Sequence, residues 1–180
     1  NFCWEWEVLE KMTAHVDTGK ALPRELFEKM LAAKNFQNGY MTLRQIVMSL
    51  TDWRLHASFD SQNAKGQAVL ELSRAIADQF NVIAQPAISR WINTFSHIFA
   101  GGYAAGYYSY KWAEVLSADV YSAFEEAAKL TGSVLDEKTG IRYRQEILEV
   151  GGSRPAAESF RAFRGREPSV DALLRHGGLA

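Results

Sequence analysis

The chain has 180 residues, 47% hydrophobic and 23% charged, with a net charge of −1. Those values allow a globular domain with a real core, and they exclude a strong electrostatic pull towards nucleic acid or a membrane surface. Cys3 is the single cysteine, so no internal disulfide forms, which suits a reducing, cytoplasmic compartment. No apolar run approaches a membrane span and no signal-peptide pattern is visible.

The chain opens on Asn1-Phe2-Cys3-Trp4-Glu5-Trp6 instead of Met. Large aromatics come at once, as if the chain were cut from a longer one inside a helix; proteolytic maturation is the alternative. The spacing of Val8, Leu9, Met12 and Val16 predicts a helix over 2–16, ended by Gly19 as a left-handed cap. Pro23 suits the first turn of a second helix, with Leu26, Met30 and Leu31 as its inner face. After a break at 35–39, Leu43, Ile46, Val47, Leu50 and Trp53 predict a long buried helix over 40–59. His56, near its C-terminal end, reads as structural or dipole-favoured. Residues 60–66 are turn-like, and Val69, Leu72, Ile76 and Phe80 predict a helix over 67–82. Residues 84–94 contain Pro86 and no steady period, but Trp91 and Phe95 should pack on the body and fix the approach to His97.

The next run is distinctive: Phe95-Ser-His-Ile-Phe-Ala-Gly-Gly-Tyr-Ala-Ala-Gly-Tyr-Tyr-Ser-Tyr-Lys-Trp112. A single helix over 103–130 would put Tyr103, Tyr107 and Tyr110 on one face at i, i+4 and i+7. Three phenols beside a glycine-rich loop bearing His97 form a row of hydrogen-bond donors suited to a peptide backbone or a developing oxyanion. Aromatic stripes at helical spacing are usually core, and the pattern alone favours that reading. Trp112, Val115, Leu116, Val120 and Phe124 continue the core side. A loop over 131–140 and short helices over 141–150 and 155–163 follow, and Pro168 and Asp171 open a last helix that ends at His176-Gly177-Gly178. No segment has period 2. The fold class is therefore all-α: a multi-helix, bundle-like array of about seven or eight helices with no significant sheet, read as one piece over 1–180.

Most catalytic signatures are absent. His15, His56, His97 and His176 never fall within one helical turn of each other, so no His-Glu-x-x-His metal pair exists and no metal ligand is assigned. No Gly-x-Ser-x-Gly elbow or P-loop appears, and Cys3 has acidic and aromatic neighbours. Arg161, Arg164 and Arg166 are expected to form salt bridges inside the fold, and Glu125-Glu126 to sit on a solvated face.

The run from His97 to Trp112 resembles the substrate loop of the thimet oligopeptidase family of zinc metallopeptidases. Asn1–Glu5, Leu31–Gln37, Asp52-Trp53-Arg54-Leu55-His56 and Phe163-Arg164-Gly165-Arg166-Glu167-Pro168 are similar to other stretches of that family. The resemblance implies the C-terminal portion of a peptidase catalytic domain, in which a zinc-activated water cleaves short peptides. It implies oxyanion or carbonyl contact for Tyr110 and His97 and substrate positioning for Tyr103 and Tyr107. Gly101 and Gly102 would let the loop close over the peptide. The zinc ligands would lie in the remainder of the parent chain, so this chain is expected to bind no zinc and cleave nothing alone. Self-association through an unpartnered patch at Phe2, Trp4 and Trp6 is a further expectation. The alternative is a non-catalytic helical peptide-binding or assembly module.

Overall fold

The computed structural model describes residues 1–180 and contains helices and turns but no strand. The α-helices are α1 (Trp6–Met12), α2 (Arg24–Ala33), α3 (Asn38–Ala57), α4 (Gly66–Phe80), α5 (Ser109–Thr131), α6 (Glu137–Tyr143), α7 (Ala156–Arg164) and α8 (Asp171–His176). Short 3-10 turns cover Phe2–Trp4, Trp91–Thr94 and Ser96–Ile98, and a π turn covers Arg144–Leu148. The all-α class is as expected. The chain divides into two compact units, one of residues 37–113 and one of residues 1–36 with 114–180.

In the second of these, Tyr121, Ala123 and Phe124 of α5 and Phe163 of α7 form the core, joined by Phe2, Tyr143 and Ile147. Each such buried ring or aliphatic side chain contributes about 1.5–3 kcal/mol by leaving water. The expected 2–16 helix is much shorter. Thr13 becomes extended, its hydroxyl donates to the Leu9 carbonyl (2.6 Å) and accepts the Leu22 N–H (2.9 Å), and this side-chain competition ends α1 at Met12. Val16 is left 94% exposed. The inner face of α2 is Phe27, not Leu26, Met30 and Leu31: the Phe27 ring meets Trp6 at 5.3 Å, and the Arg24 guanidinium lies over both rings.

Phe2, Trp4 and Trp6 do not lack partners. Phe2 meets Tyr121 and Phe124 edge-on at 5.0 and 5.1 Å, and the Lys34 ammonium lies over Trp4. The expected loop over 131–140 ends early, because the Asp136 carboxylate accepts the Thr139 N–H at 2.8 Å and caps α6 across Gly140. The arginine cluster pairs internally, as expected: Arg161 with Glu167, Arg164 with Asp119 and Glu126, and Arg166 with Asp119. Glu125 departs from the expected solvated face. It is half-buried and bound to Arg175 and His176.

The 37–113 unit pairs α3 with α4. Val47, Ile76 and Ala77 pack together with Leu50, Leu72, Phe80 and Trp91 around them. A second cluster joins Ile92, Phe95, Ile98 and Tyr107, with Met48 and Leu55 of α3 against it. Residues 84–90 are irregular as expected, the expected irregular stretch ending in the 3-10 turn at Trp91–Thr94, and Trp91 and Phe95 do pack inward, their rings 5.5 Å apart. Trp53 and Trp112, expected in the core, are about half exposed.

Candidate functional site

The His97 loop is anchored by its neighbours. Phe95 and Ile98 are buried and His97 between them is exposed. Behind it the Ser96 carbonyl accepts N–H groups from Phe99 (3.1 Å), Ala100 (2.8 Å) and Gly101 (2.8 Å), and the His97 carbonyl accepts the Tyr103 N–H at 3.0 Å. This tight return needs the glycine pair. A Cβ on Gly101 would lie 2.8 Å from the His97 Cα and 2.9 Å from its carbonyl oxygen, and Gly102 has φ +80°.

The three tyrosines do not share one helix face, because α5 begins only at Ser109. Residues 104–108 form turns in which Ala105 adopts a left-handed φ of 55°. The rings converge all the same. Tyr103 stacks on Tyr110 with centroids 5.1 Å apart, and Tyr107 lies 5.1 Å from Tyr110. The His97 ring is 6.0 Å from Tyr103, 5.7 Å from Tyr107 and 6.3 Å from Tyr110.

The members of this cluster differ in access. Tyr107, expected to position substrate, is only 8% exposed, and its hydroxyl donates to the Met48 sulfur at 3.3 Å. Tyr110 is 39% exposed, Tyr103 is half-buried and His97 faces solvent. The hydrogen bond with Tyr103 raises the Tyr110 phenol above its ordinary range, helped by desolvation and by the charges Tyr103 and Tyr107 would carry. Tyr110 is thus a neutral hydroxyl near pH 7, next to the His97 imidazole.

One residue that holds the backbone of this cluster was not singled out in the sequence. Asp52 of α3 is 1% exposed, and its carboxylate accepts the N–H of Ala105 on Oδ1 and that of Tyr107 on Oδ2, both at 2.9 Å. His56, one turn on, brings Nδ1 within 2.9 Å of Asp52 Oδ1 and of the Asp52 carbonyl. The available signal was an Asp four residues before a His on a helix with an apolar inner face, a pairing that permits carboxylate burial.

A pocket of about 310 Å³ opens beside His97 and Tyr107, with Arg44, Met48, Gln85 and Trp91 also in its wall. A pocket of about 520 Å³ in the other unit is lined chiefly by packed aromatic and aliphatic side chains, among them Phe2, Val120, Phe124 and Phe160. It has no charged side chain and reads as a gap between helices. No three of the His, Cys, Asp and Glu side chains gather as a metal site. His56 is engaged with Asp52 and His176 with Glu125, while His97 lies among the tyrosines.

The sequence profile described as Peptidase family M3 matches residues 1–179. The chain belongs to peptidase family M3. This is the family to which the sequence resemblance points. Among its curated relatives, the chain is 49% identical over 179 residues to oligopeptidase A of Salmonella typhimurium and 46% identical to oligopeptidase A of Escherichia coli. Each alignment covers 99% of this chain and 25% of the relative. It is 34% identical over 173 residues to dipeptidyl carboxypeptidase of Escherichia coli, covering 96% of this chain and 24% of that protein. The chain thus spans about a quarter of the length of these family M3 relatives. No helix is long and apolar enough to cross a membrane.

Proposed function

We propose that the chain supplies the peptide-binding wall of a zinc-dependent oligopeptidase, a metalloendopeptidase acting on short peptides. The observation that carries this reading is the open face on which the rings of His97, Tyr103 and Tyr110 converge, in a chain matched along its length by a peptidase family. Tyr110 donates to the carbonyl of the bond to be cleaved, and the bond strengthens as that oxygen becomes an oxyanion. His97 makes the second contact to the same carbonyl or its neighbour. Tyr103 positions the peptide and holds Tyr110 in orientation. Tyr107 acts from behind, its ring backing Tyr110 while its hydroxyl stays on Met48. Gly101 and Gly102 give the loop the close turn that presents His97.

In such an enzyme zinc supplies a Lewis acid and an activated water. The donor set of this chain does not fit that ion, because His56 is held by Asp52 and His176 by Glu125 and no three ligating side chains gather; on this reading the zinc ligands come from the rest of a parent chain. A cytoplasmic setting, in which the exposed Cys3 thiol stays reduced, accords with this reading.

Two measurements test it. His97→Ala in the full-length protein should lower kcat on a short peptide by about tenfold to a hundredfold. The purified 180-residue chain supplied with zinc should cleave nothing. Unchanged turnover in the first, or zinc-dependent cleavage in the second, contradicts the reading.

A further inference from the structure

We propose that Asp52 is a positioning residue for the tyrosine face, acting through the backbone of residues 105–107 and itself oriented by His56. The proposal rests on the reading of that face as peptide-binding. The geometry is a two-toothed clamp: one carboxylate oxygen takes the Ala105 N–H and the other the Tyr107 N–H. Two amides separated by a single residue point at one carboxylate only if the backbone between them turns sharply, and here Ala105 supplies the turn at φ 55°. L-residues avoid that conformation unless something holds them in it.

The turn then passes directly into the site. The Tyr103 carbonyl accepts the Gly106 N–H at 2.8 Å, and the Tyr107 carbonyl accepts the Tyr110 N–H at 3.3 Å. The clamp thereby fixes where Tyr103 stands relative to Tyr110, whose rings stack. The same two turns of α3 brace the flanks: Trp53 meets Tyr108 edge-on at 6.4 Å, and His56 lies 6.3 Å from Phe99 of the His97 loop. Asp52 is buried and its partners are the Ala105 and Tyr107 amides and His56, so its action is through the turn.

Asparagine at this position separates positioning from bulk. Its one carbonyl oxygen can accept only one of the two amides from the same geometry, and its NH2 would face the other donor. In the full-length protein, Asp52→Asn should raise hydrogen exchange over residues 103–109 by about tenfold, the equivalent of one lost hydrogen bond. It should lower kcat/KM on a short peptide by about tenfold or more, since the contacts depend on orientation. Adding Ala105→Gly, which adopts the turn without a Cβ penalty, should restore part of both. Asp136→Asn, a carboxylate that likewise accepts a backbone N–H, that of Thr139 at the start of α6, should move neither. If Asp52→Asn does not fold, His56→Ala decides, with a smaller increase in exchange over 103–109. Exchange and kinetics like the parent protein in the folded variants overturn the proposal. A Tyr110→Phe variant with intact kcat would sink the peptide-contact reading alone, because exchange over 103–109 would still decide the role of Asp52.

Discussion

Two aspartates are withdrawn from water to the same extent, Asp52 at 1% and Asp119 at 0% exposure, yet they do opposite kinds of work. Asp119 is surrounded by charge. Arg164 Nε donates to it at 3.1 Å, Arg166 Nη1 at 2.7 Å, and the Ser169 N–H at 2.8 Å, so its charge is compensated while it ties the C-terminal segment to α5. Asp52 receives two backbone N–H groups and an imidazole, and what it holds is a strained turn. A carboxylate matched by arginines locks packed elements together. One matched by amides dictates the shape of a loop, and here that loop carries the candidate site.

The largest expected effect breaks the Asp119 side of this contrast. Asp119→Ala leaves two guanidinium groups short of their partner, and breaking a buried pair from one side costs about 3–5 kcal/mol. Exchange protection in α5 and α7 should fall by that amount, and retention of protection would refute the assignment of Asp119 as the tie. Acid should act on the same region. Burial pushes Asp119 up, but Arg166, the Ser169 N–H and Arg164 outweigh it and hold its carboxyl low. Burial likewise opposes Arg175 and His176 at Glu125, which is also lowered, and the Arg164 hydrogen bond lowers Glu126. Folded values below the ordinary range mean that this stability is present above about pH 4 and is lost as pH falls through the folded values. Protection of α5, α7 and α8 should therefore decline below about pH 4. Protection that rises with acid would reverse the sign and contradict the account. The smallest effect sharpens the Asp52 side: Ala105→Gly removes the Cβ from a left-handed residue and should stabilise the turn by about 1 kcal/mol or less, seen as slower exchange at Tyr107.

Much of this was legible in the sequence. The helical class followed from the absence of period-2 segments, and the His97-to-Tyr110 run marked out the candidate site, whose rings the fold brings together. Its geometry was not legible, because nothing about an alanine announces φ 55° at Ala105, and without that value the tyrosines read as one helix face. α1 and α6 failed at their ends for the related reason that the side chains of Thr13 and Asp136 overrode the periodicity. Asp52 lay hidden because its partners are backbone amides of residues 105 and 107, far away in sequence and carrying no side-chain signature.

The central claim is that Tyr110 faces the peptide while Tyr107 supports it from the core. Comparing kcat of Tyr110→Phe and Tyr107→Phe in the full-length protein, each at saturating short peptide and with its thermal midpoint recorded, tests this directly. Tyr110→Phe should lose about a hundredfold in kcat with its midpoint unchanged, as expected for one lost oxyanion donor. Tyr107→Phe should keep kcat within severalfold and lose only the weak bond to the Met48 sulfur. Equal kcat for the two variants, or the larger loss at Tyr107, would contradict the account.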